Sequence, residues 1–380
     1  MKIGVPHEIV TNETRTALTP PRAEGLIDKG HDIIVSSGCG QASGWSDSAY
    51  EAVGCSVVSE REEIFATADI VVHVQAIGAG DGPERYHDGQ IVIGLLDPHQ
   101  LDDELDHLAR ENVTSFALEL IPRISRAQRM DALSSMASIG GYKATIMAAE
   151  ALPKMFPMQM TAAGTVQPAN IFVVGAGVAG LQAIATAERL GASVRAYDIR
   201  PEVKEEVESL GAEFVELDLE ADDASDEEGH AREQDEDFYE KQREMMNRVV
   251  GESDVVITTA AIPGRPSPTL VTEEMIEGMD HGSVIVDLAA AGGGNCEPTK
   301  PDEAVVYDGV TIFGPTNLPA TVPHHASQLY STNVTNFLDL IMTDGAIDID
   351  TSDEIIDATL LTHDGQNRSP HRDEEEEDEE

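Results

Sequence analysis

The sequence predicts an α/β protein of two doubly wound domains, the second inserted into the first. Three observations carry that expectation. Apolar runs without polar alternation, such as DIVVHVQA and QIVIGLLD, follow helical stretches in turn, as buried parallel strands do. A glycine-punctuated passage, IFVVGAGVAGLQAIATAERLG, opens a second alternation of the same kind. The chain, at 380 residues, is too long for one core and suits two.

The elements follow in order. MKIGVPHEI reads as a strand. TPPRAEGLIDKG reads as a helix opened by proline and closed by Gly30. HDIIVSSG is a strand, SDSAYEAVG a short helix with a serine cap, and CSVV a strand. In SEREEIFATAD, Ser59 with Glu62 reads as a capping box. DIVVHVQA, QIVIGLLD and VTSFALEL are strands. From Met136 to Phe156 a helix is expected, apolar almost all round and therefore buried, with Lys143 its only charge before Glu150. After the glycine passage come the strand SVRAYD, the helix PEVKEEVESLG and the strand EFVELD. SDVVITTA, TEEMIEGM, GSVIVDLA and VTIFGPTN continue the pattern, and LPATVPHHASQLYSTNVTNFLDLI is one helix or two. The expected division is 1–134 with 318–350 for the first domain and 135–317 for the second.

Composition narrows the function. There are 71 acids against 24 bases, a net charge of −47, which excludes nucleic acid as a partner. Such a charge fits either an acidic regulatory protein or an enzyme living in molar salt, where the Debye length is about 3 Å. The acids run through the whole chain and 41% of residues are still apolar, which favours the salt-adapted enzyme. Residues 220–240 form an acidic excursion, and 365–380 an acidic tail expected to be disordered. Cys39, Cys55 and Cys296 are scattered, with no metal spacing, as in a reducing compartment. No leader and no 20-residue apolar span is read, so the chain is expected to be soluble and cytoplasmic.

Gly175, Gly177 and Gly180 make GxGxxG between a strand and a helix, the Rossmann-like dinucleotide signature. The first glycine permits the tight turn, the second a close phosphate, and the third close helix packing. The helix N-terminus offers free N–H groups to phosphate. Asp198 ends the next strand, where a carboxylate can accept the adenosine ribose hydroxyls and repel a 2′-phosphate, so NAD is favoured over NADP. Arg200 alone is insufficient to reverse that. Ala260 in TTAAIPGRPSP and the glycines of LAAAGGGNCE are expected to pass close to a bound ring.

In the first domain, Arg15 could hold a carboxylate, and His73 and His99 are possible acid/bases, but they form no proton relay. PRISRAQRMDALSS (122–135) places Arg123, Arg126 and Arg129 within seven positions of a chain poor in bases.

PRISRAQRMD, MTAAGTVQPA, GVAGLQAIATAERLGA, TTAAIPG, VTEEMIEGM and GSVIVDLAAAGGGN closely resemble the NAD(H)-binding domain of the proton-translocating NAD(P) transhydrogenase alpha-subunit family, from Met1 to about Leu340. Alanine dehydrogenase, of the same two-domain fold, is its nearest relative. Arg15 matches that enzyme's substrate arginine. His73 or Gln75 stands in place of its lysine, and Leu95 in place of its catalytic histidine. The resemblance implies that Arg123 positions the nicotinamide end, Gln128 reaches the other nucleotide's ribose, and Asp131 and Ser134 complete the network. It implies NAD(H) contacts from Gly175, Gly177, Val178, Ala179, Gly180, Asp198, Ile199, Arg200, His230 and Ala260. His230 takes the tyrosine's place in the family's mobile Gly-Gly-Tyr-Ala loop, with Tyr239 a nearby substitute. Further implications are a homodimer, a membrane-spanning partner subunit, a partner subunit holding NADP(H), and a place on the inner face of the cell membrane through them. An alanine dehydrogenase-like oxidoreductase is the alternative, and a non-enzymatic NAD sensor a third.

Overall fold

The computed structural model describes residues 1–76, 85–98, 102–216, 236–261, 264–343 and 345–369. They divide into two compact units, Met1–Met136 with Pro319–Glu380, and Ala137–Leu318.

In the first unit, β1 (Lys2–Val5), β2 (Asp32–Ser36), β3 (Ser56–Val58), β4 (Ile70–Gln75), β5 (Ile91–Leu95) and β6 (Thr114–Ala117) are parallel, in the order β3-β2-β1-β4-β5-β6. Helices α1 (Pro20–Asp28), α2 (Asp47–Ala52), α3 (Arg61–Thr67) and α4 (Asp102–Arg110) connect them. Pro20 starts α1, and Gly30 takes φ 89° beyond its end, a left-handed conformation that suits glycine. The order reverses between β1 and β4, so a crevice is expected at their carboxyl ends. The expected capping box does not form: α3 is capped at Glu60, and Glu62 instead pairs with Arg85 at 3.1 Å.

Helix α5 (Ala132–Ala151) starts earlier and ends earlier than its apolar content suggested. Asp131 draws the start back, and Pro153 biases Leu152 away from helix. Nor is it buried all round, since Leu133 is 47% and Tyr142 43% exposed. A hairpin, β7 (Gln159–Thr161) with β8 (Gly164–Val166), follows; it was not foreseen.

The second unit's sheet contains β9 (Asn170–Val174), β10 (Ser193–Tyr197), β11 (Glu213–Phe214), β12 (Val255–Thr258), β13 (Val284–Asp287), β14 (Ala304–Tyr307) and β15 (Val310–Phe313). Their order is β11-β10-β9-β12-β13-β15-β14, parallel except for the edge strand β14. Helices α6 (Val178–Arg189), α7 (Lys204–Ser209), α8 (Glu236–Gly251) and α9 (Glu273–Glu277) flank it. The reversal falls between β9 and β12. One face packs Ala183, Ile184 and Ala187 of α6 on Ile171, Val173 and Ile257. The other packs Met245, Met246, Val249 and Val250 of α8 on Phe172, Val256 and Ile285. Helix α8 escaped the sequence reading because its first residues lie in the acidic excursion, whose residues 217–235 are outside the described ones.

The chain returns to the first unit through α10 (Pro323–Ile341), a single helix, and a short pair, β16 (Met342–Thr343) with β17 (Ala346–Ile347). It continues past residue 350. Helix α11 (Glu354–Thr359), β18 (Leu360–His363) and β19 (Gln366–Asn367) extend the first sheet to eight strands, β18 lying antiparallel to β6. The start of the expected tail is thus ordered, because Leu360 and Leu361 are buried and anchor it. Residues 370–380 lie outside the described ones.

Candidate nucleotide-binding and hydride-transfer site

The glycine turn of the second unit sits at the reversal of its sheet. Gly175 has φ 96°, and a Cβ there would lie 2.4 Å from Thr259 Oγ1. A Cβ on Gly180 would lie 1.8 Å from Gly175 O, so the third glycine serves close packing of α6 on the turn. At Gly177 a Cβ would meet nothing. Its lack of a side chain has no cause among the described residues and fits a phosphate approaching the backbone. Gly177 caps α6 without a side-chain bond, and Gly177 and Val178 are exposed beside Ala179. The first-turn N–H groups are suited to an anion.

Asp198 is 9% exposed, and its carboxylate is fully engaged. Oδ2 accepts from Ala176 N at 2.7 Å and Arg200 Nη2 at 2.9 Å. Oδ1 accepts from Arg200 N at 3.0 Å and Nε at 2.9 Å. Four donors match the capacity of a carboxylate. Ribose hydroxyls can reach it only if the Arg200 side chain swings away. Ile199 is half-buried beside them.

On the other side of the turn, Thr259 Oγ1 donates to Gly175 O at 3.1 Å. Asn295 was missed by sequence reasoning. Fully buried, it accepts from Ala260 N at 2.9 Å and donates to Ala260 O at 2.7 Å and Pro268 O at 2.8 Å. Asp287 supports it, accepting from Asn295 N, Cys296 N, Ala289 N and the hydroxyls of Thr258 and Thr299. The signal was a lone aspartate ending the apolar strand VIVD. The glycines after it serve the chain itself: a Cβ on Gly294 would lie 2.8 Å from Asp287 Oδ2, and one on Gly292 2.5 Å from Ser267 Oγ. Gly141 of α5 was also missed; its Cβ would lie 2.0 Å from Ala179 O, so α5 crosses tightly over the turn.

In the first unit, residues 122–131 form a loop that ends in a cap. Asp131 Oδ1 accepts from Ser134 N at 2.8 Å, its Oδ2 accepts from the Ser134 hydroxyl, and its carbonyl accepts from Ser135 Oγ at 2.9 Å. Arg123 and Gln128 are both exposed on this loop, and the Gln128 side chain makes no hydrogen bond among the described residues. His230 and His99 lie outside the described residues.

The first sheet's own reversal is filled. Arg15, 4% exposed, donates to Glu13 through Nε at 2.8 Å and Nη2 at 2.6 Å. Gln75 Nε2 adds a bond to Glu13 at 2.8 Å. Burial pushes the Glu13 carboxyl up, but the bonds and charge of Arg15 outweigh it and hold it down at about 2. Glu8 accepts from Val74 N at 2.6 Å and Gln75 N at 3.2 Å. His73 is fully buried, with Nε2 3.0 Å from Tyr86 OH.

Residues 4–140 match the family described as alanine dehydrogenase/PNT, N-terminal domain, and residues 144–370 its C-terminal domain. The chain belongs to the alanine dehydrogenase/PNT family. Within it, the chain is 47% identical to the NAD(P) transhydrogenase subunit alpha of Cereibacter sphaeroides, over 96% of this chain and 70% of that one. It is 45% identical to the protein of Rickettsia prowazekii named as the first part of such a subunit, over 96% of this chain and 95% of that one. Among solved structures, a transhydrogenase from Sinorhizobium meliloti superposes with a TM-score of 0.87 at 40% identity, covering 97% of this chain and all of that one. The alanine dehydrogenase of Halomonas elongata is more distant, at 28% identity over 96% of this chain and 94% of that one.

For a member of the alanine dehydrogenase/PNT family, the state of Arg15 is informative. A guanidinium closed on Glu13 has to leave that partner before it can hold a substrate carboxylate. Leu95, at the end of β5, offers no proton acceptor. No group of side chains suited to a metal ion occurs among the described residues, and none of their helices is long and apolar enough to cross a membrane.

Proposed function

We propose that this chain is the NAD(H)-binding subunit of a proton-translocating NAD(P) transhydrogenase, exchanging hydride between NADH and NADP+ with a membrane-spanning subunit and an NADP(H)-binding subunit on other chains. The observation that carries this reading is that the chain matches transhydrogenase alpha subunits nearly end to end, at 47% and 45% identity against 28% for an alanine dehydrogenase.

NADH, when bound, supplies the hydride. The backbone at Gly177, Val178 and Ala179 receives its phosphates, and Asp198 takes its ribose once Arg200 has released it. Arg123 orients the nicotinamide end, Gln128 reaches toward the ribose of the partner's nucleotide, and Asp131 with Ser134 holds the loop rigid beneath them. His230, outside the described residues, contributes to NAD(H) binding. Hydride exchange between two nicotinamides needs alignment and exclusion of water rather than a proton relay.

The chain works as a homodimer. In support, Met158 just before the β7–β8 hairpin is 55% exposed, and Met160 and Val166 within it are 73% and 45% exposed, an apolar surface suited to a second copy. It sits on the inner face of the cell membrane through its partners, in a cell with molar internal salt, as the net charge of −47 suggests.

The test uses the purified chain in molar KCl with NADH and NADP+, with and without the NADP(H)-binding partner, beside an alanine-plus-NAD control. Transfer that requires the partner supports the reading. Oxidation of alanine without it overturns the reading.

A further inference from the structure

Two of the three arginines of PRISRAQRMD, Arg126 and Arg129, have no part in the reading above, and the side chain of Arg126 is firmly held. Arg126 Nη1 donates to Asp353 Oδ2 at 2.6 Å, and Nη2 donates to Asp353 Oδ1 at 3.0 Å. This two-pronged pair joins the loop to a segment 227 residues away in sequence. Asp353 is itself fixed, because its Oδ1 also accepts from Ile355 N at 2.9 Å and so caps α11. The helix buries Ile355 and Ile356 and leads into β18, which is paired with β6. Asp353 is therefore an anchor held by the sheet.

The loop has a second brace. Asn333 of α10 donates through Nδ2 to Arg129 O at 3.0 Å. Between these two braces stand Gln128 and, on either side, Arg123 and Asp131. Residue 126 thus ties down the middle of the loop, while its neighbours at 123 and 128 remain exposed.

We propose that Arg126 and Asp353 are positioning residues for hydride transfer: their bidentate pair holds the 122–131 loop in the geometry from which Arg123 and Gln128 act. This inference rests on the transhydrogenase reading. An exposed pair of this kind contributes little to global stability; the Arg126 side chain is 50% exposed and that of Asp353 23%. Its effect is local, on the placement of a loop whose misplacement by an ångström is costly in rate. The bond to Arg126 also holds the Asp353 carboxyl below its ordinary value. Molar salt screens distant charges but not donors in contact.

The test is a double-mutant cycle on the full chain in molar KCl with its NADP(H)-binding partner. Arg126→Gln removes the fork. Asp353→Asn removes the charge and keeps an oxygen to cap α11. Three quantities are read: the NADH dissociation constant, the single-turnover transfer rate, and amide hydrogen exchange across residues 122–131. Each single variant is expected to slow transfer about tenfold, and the double variant about tenfold as well, because both remove one interaction. NADH affinity stays unchanged while the loop amides exchange faster.

A single variant that transfers at the parental rate overturns the proposal. So does a double variant whose loss is the product of the two, or a loop whose exchange is unaltered. If the parent itself transfers no hydride, the transhydrogenase reading fails instead, and the exchange measurement still decides whether the pair holds the loop.

Discussion

Asp198 and Arg200 grip one another through both carboxylate oxygens, two residues apart at the end of β10. The pair closes the position at which a dinucleotide's ribose is expected. It also neutralises Arg200, which is placed to receive a 2′-phosphate.

The ribose and Arg200 therefore compete for Asp198. Arg200→Gln is expected to tighten NADH binding by about fivefold, the worth of one modest hydrogen bond that no longer has to break. Asp198→Ala is expected to weaken it by about 1.5–3 kcal/mol, the worth of bonds to a charged acceptor. Fluorescence titration with NADH and NADPH reads both. A gain of NADPH binding in Arg200→Gln would contradict this account.

The glycines of the turn separate packing from binding. Gly180→Ala puts a methyl 1.8 Å from Gly175 O and is expected to cost about 3 kcal/mol of stability or more. Gly177→Ala meets nothing among the described residues and should melt like the parent while losing NADH affinity at least tenfold. Melting curves and NADH titrations of the two variants are the check. If Gly177→Ala binds NADH normally, the phosphate does not approach there.

Gln128→Asn shortens the exposed side chain by one methylene. It should slow hydride transfer far more than it weakens NADH binding, because its contact is to the partner's nucleotide. Equal loss in both measurements would remove the bridging role.

Glu119 gives stability a pH dependence. Burial pushes its carboxyl up to about 7, against the amide hydrogen bonds from Leu96 and Asp97. The folded state therefore keeps a proton that the unfolded chain has lost. This contribution is complete below the ordinary carboxylate value and disappears as pH rises through about 7. Its size is at most about 3 kcal/mol. Urea midpoints at pH 5 and pH 8 in molar KCl should fall in the parent, and by less in Glu119→Gln. Equal slopes would show that Glu119 is ionised throughout.

Salt should also stabilise the chain. With a net charge of −47, self-repulsion falls as the Debye length shortens. A gain of about 3 kcal/mol in molar KCl corresponds to a melting point higher by roughly 6–12 °C. A melting curve identical in dilute buffer would refute the salt-adapted reading.

Much of this was legible beforehand, for local reasons. GxGxxG, Asp198 and the strand runs are short-range patterns, each set by backbone freedom or by burial on both faces of a sheet. Helix α8 was hidden because charge density masked its apolar stripe of Met245, Met246, Val249 and Val250. The ends of α5 were misjudged because apolar content does not mark them, whereas Asp131 and Pro153 do. Asn295 and Asp287 were invisible as a pair: their partners at Thr258, Ala260 and Pro268 are distant in sequence.

The sequence by itself determined the two doubly wound sheets, the nucleotide turn and the loop of arginines, because each is written in neighbouring residues. Only the tertiary structure decided what the charges do. It closed Arg15 on Glu13 and set Arg200 against Asp198, pairs two residues apart that form only in the backbone conformation the folded chain imposes, and it tied Arg126 to Asp353, 227 residues away, which only the fold brings together.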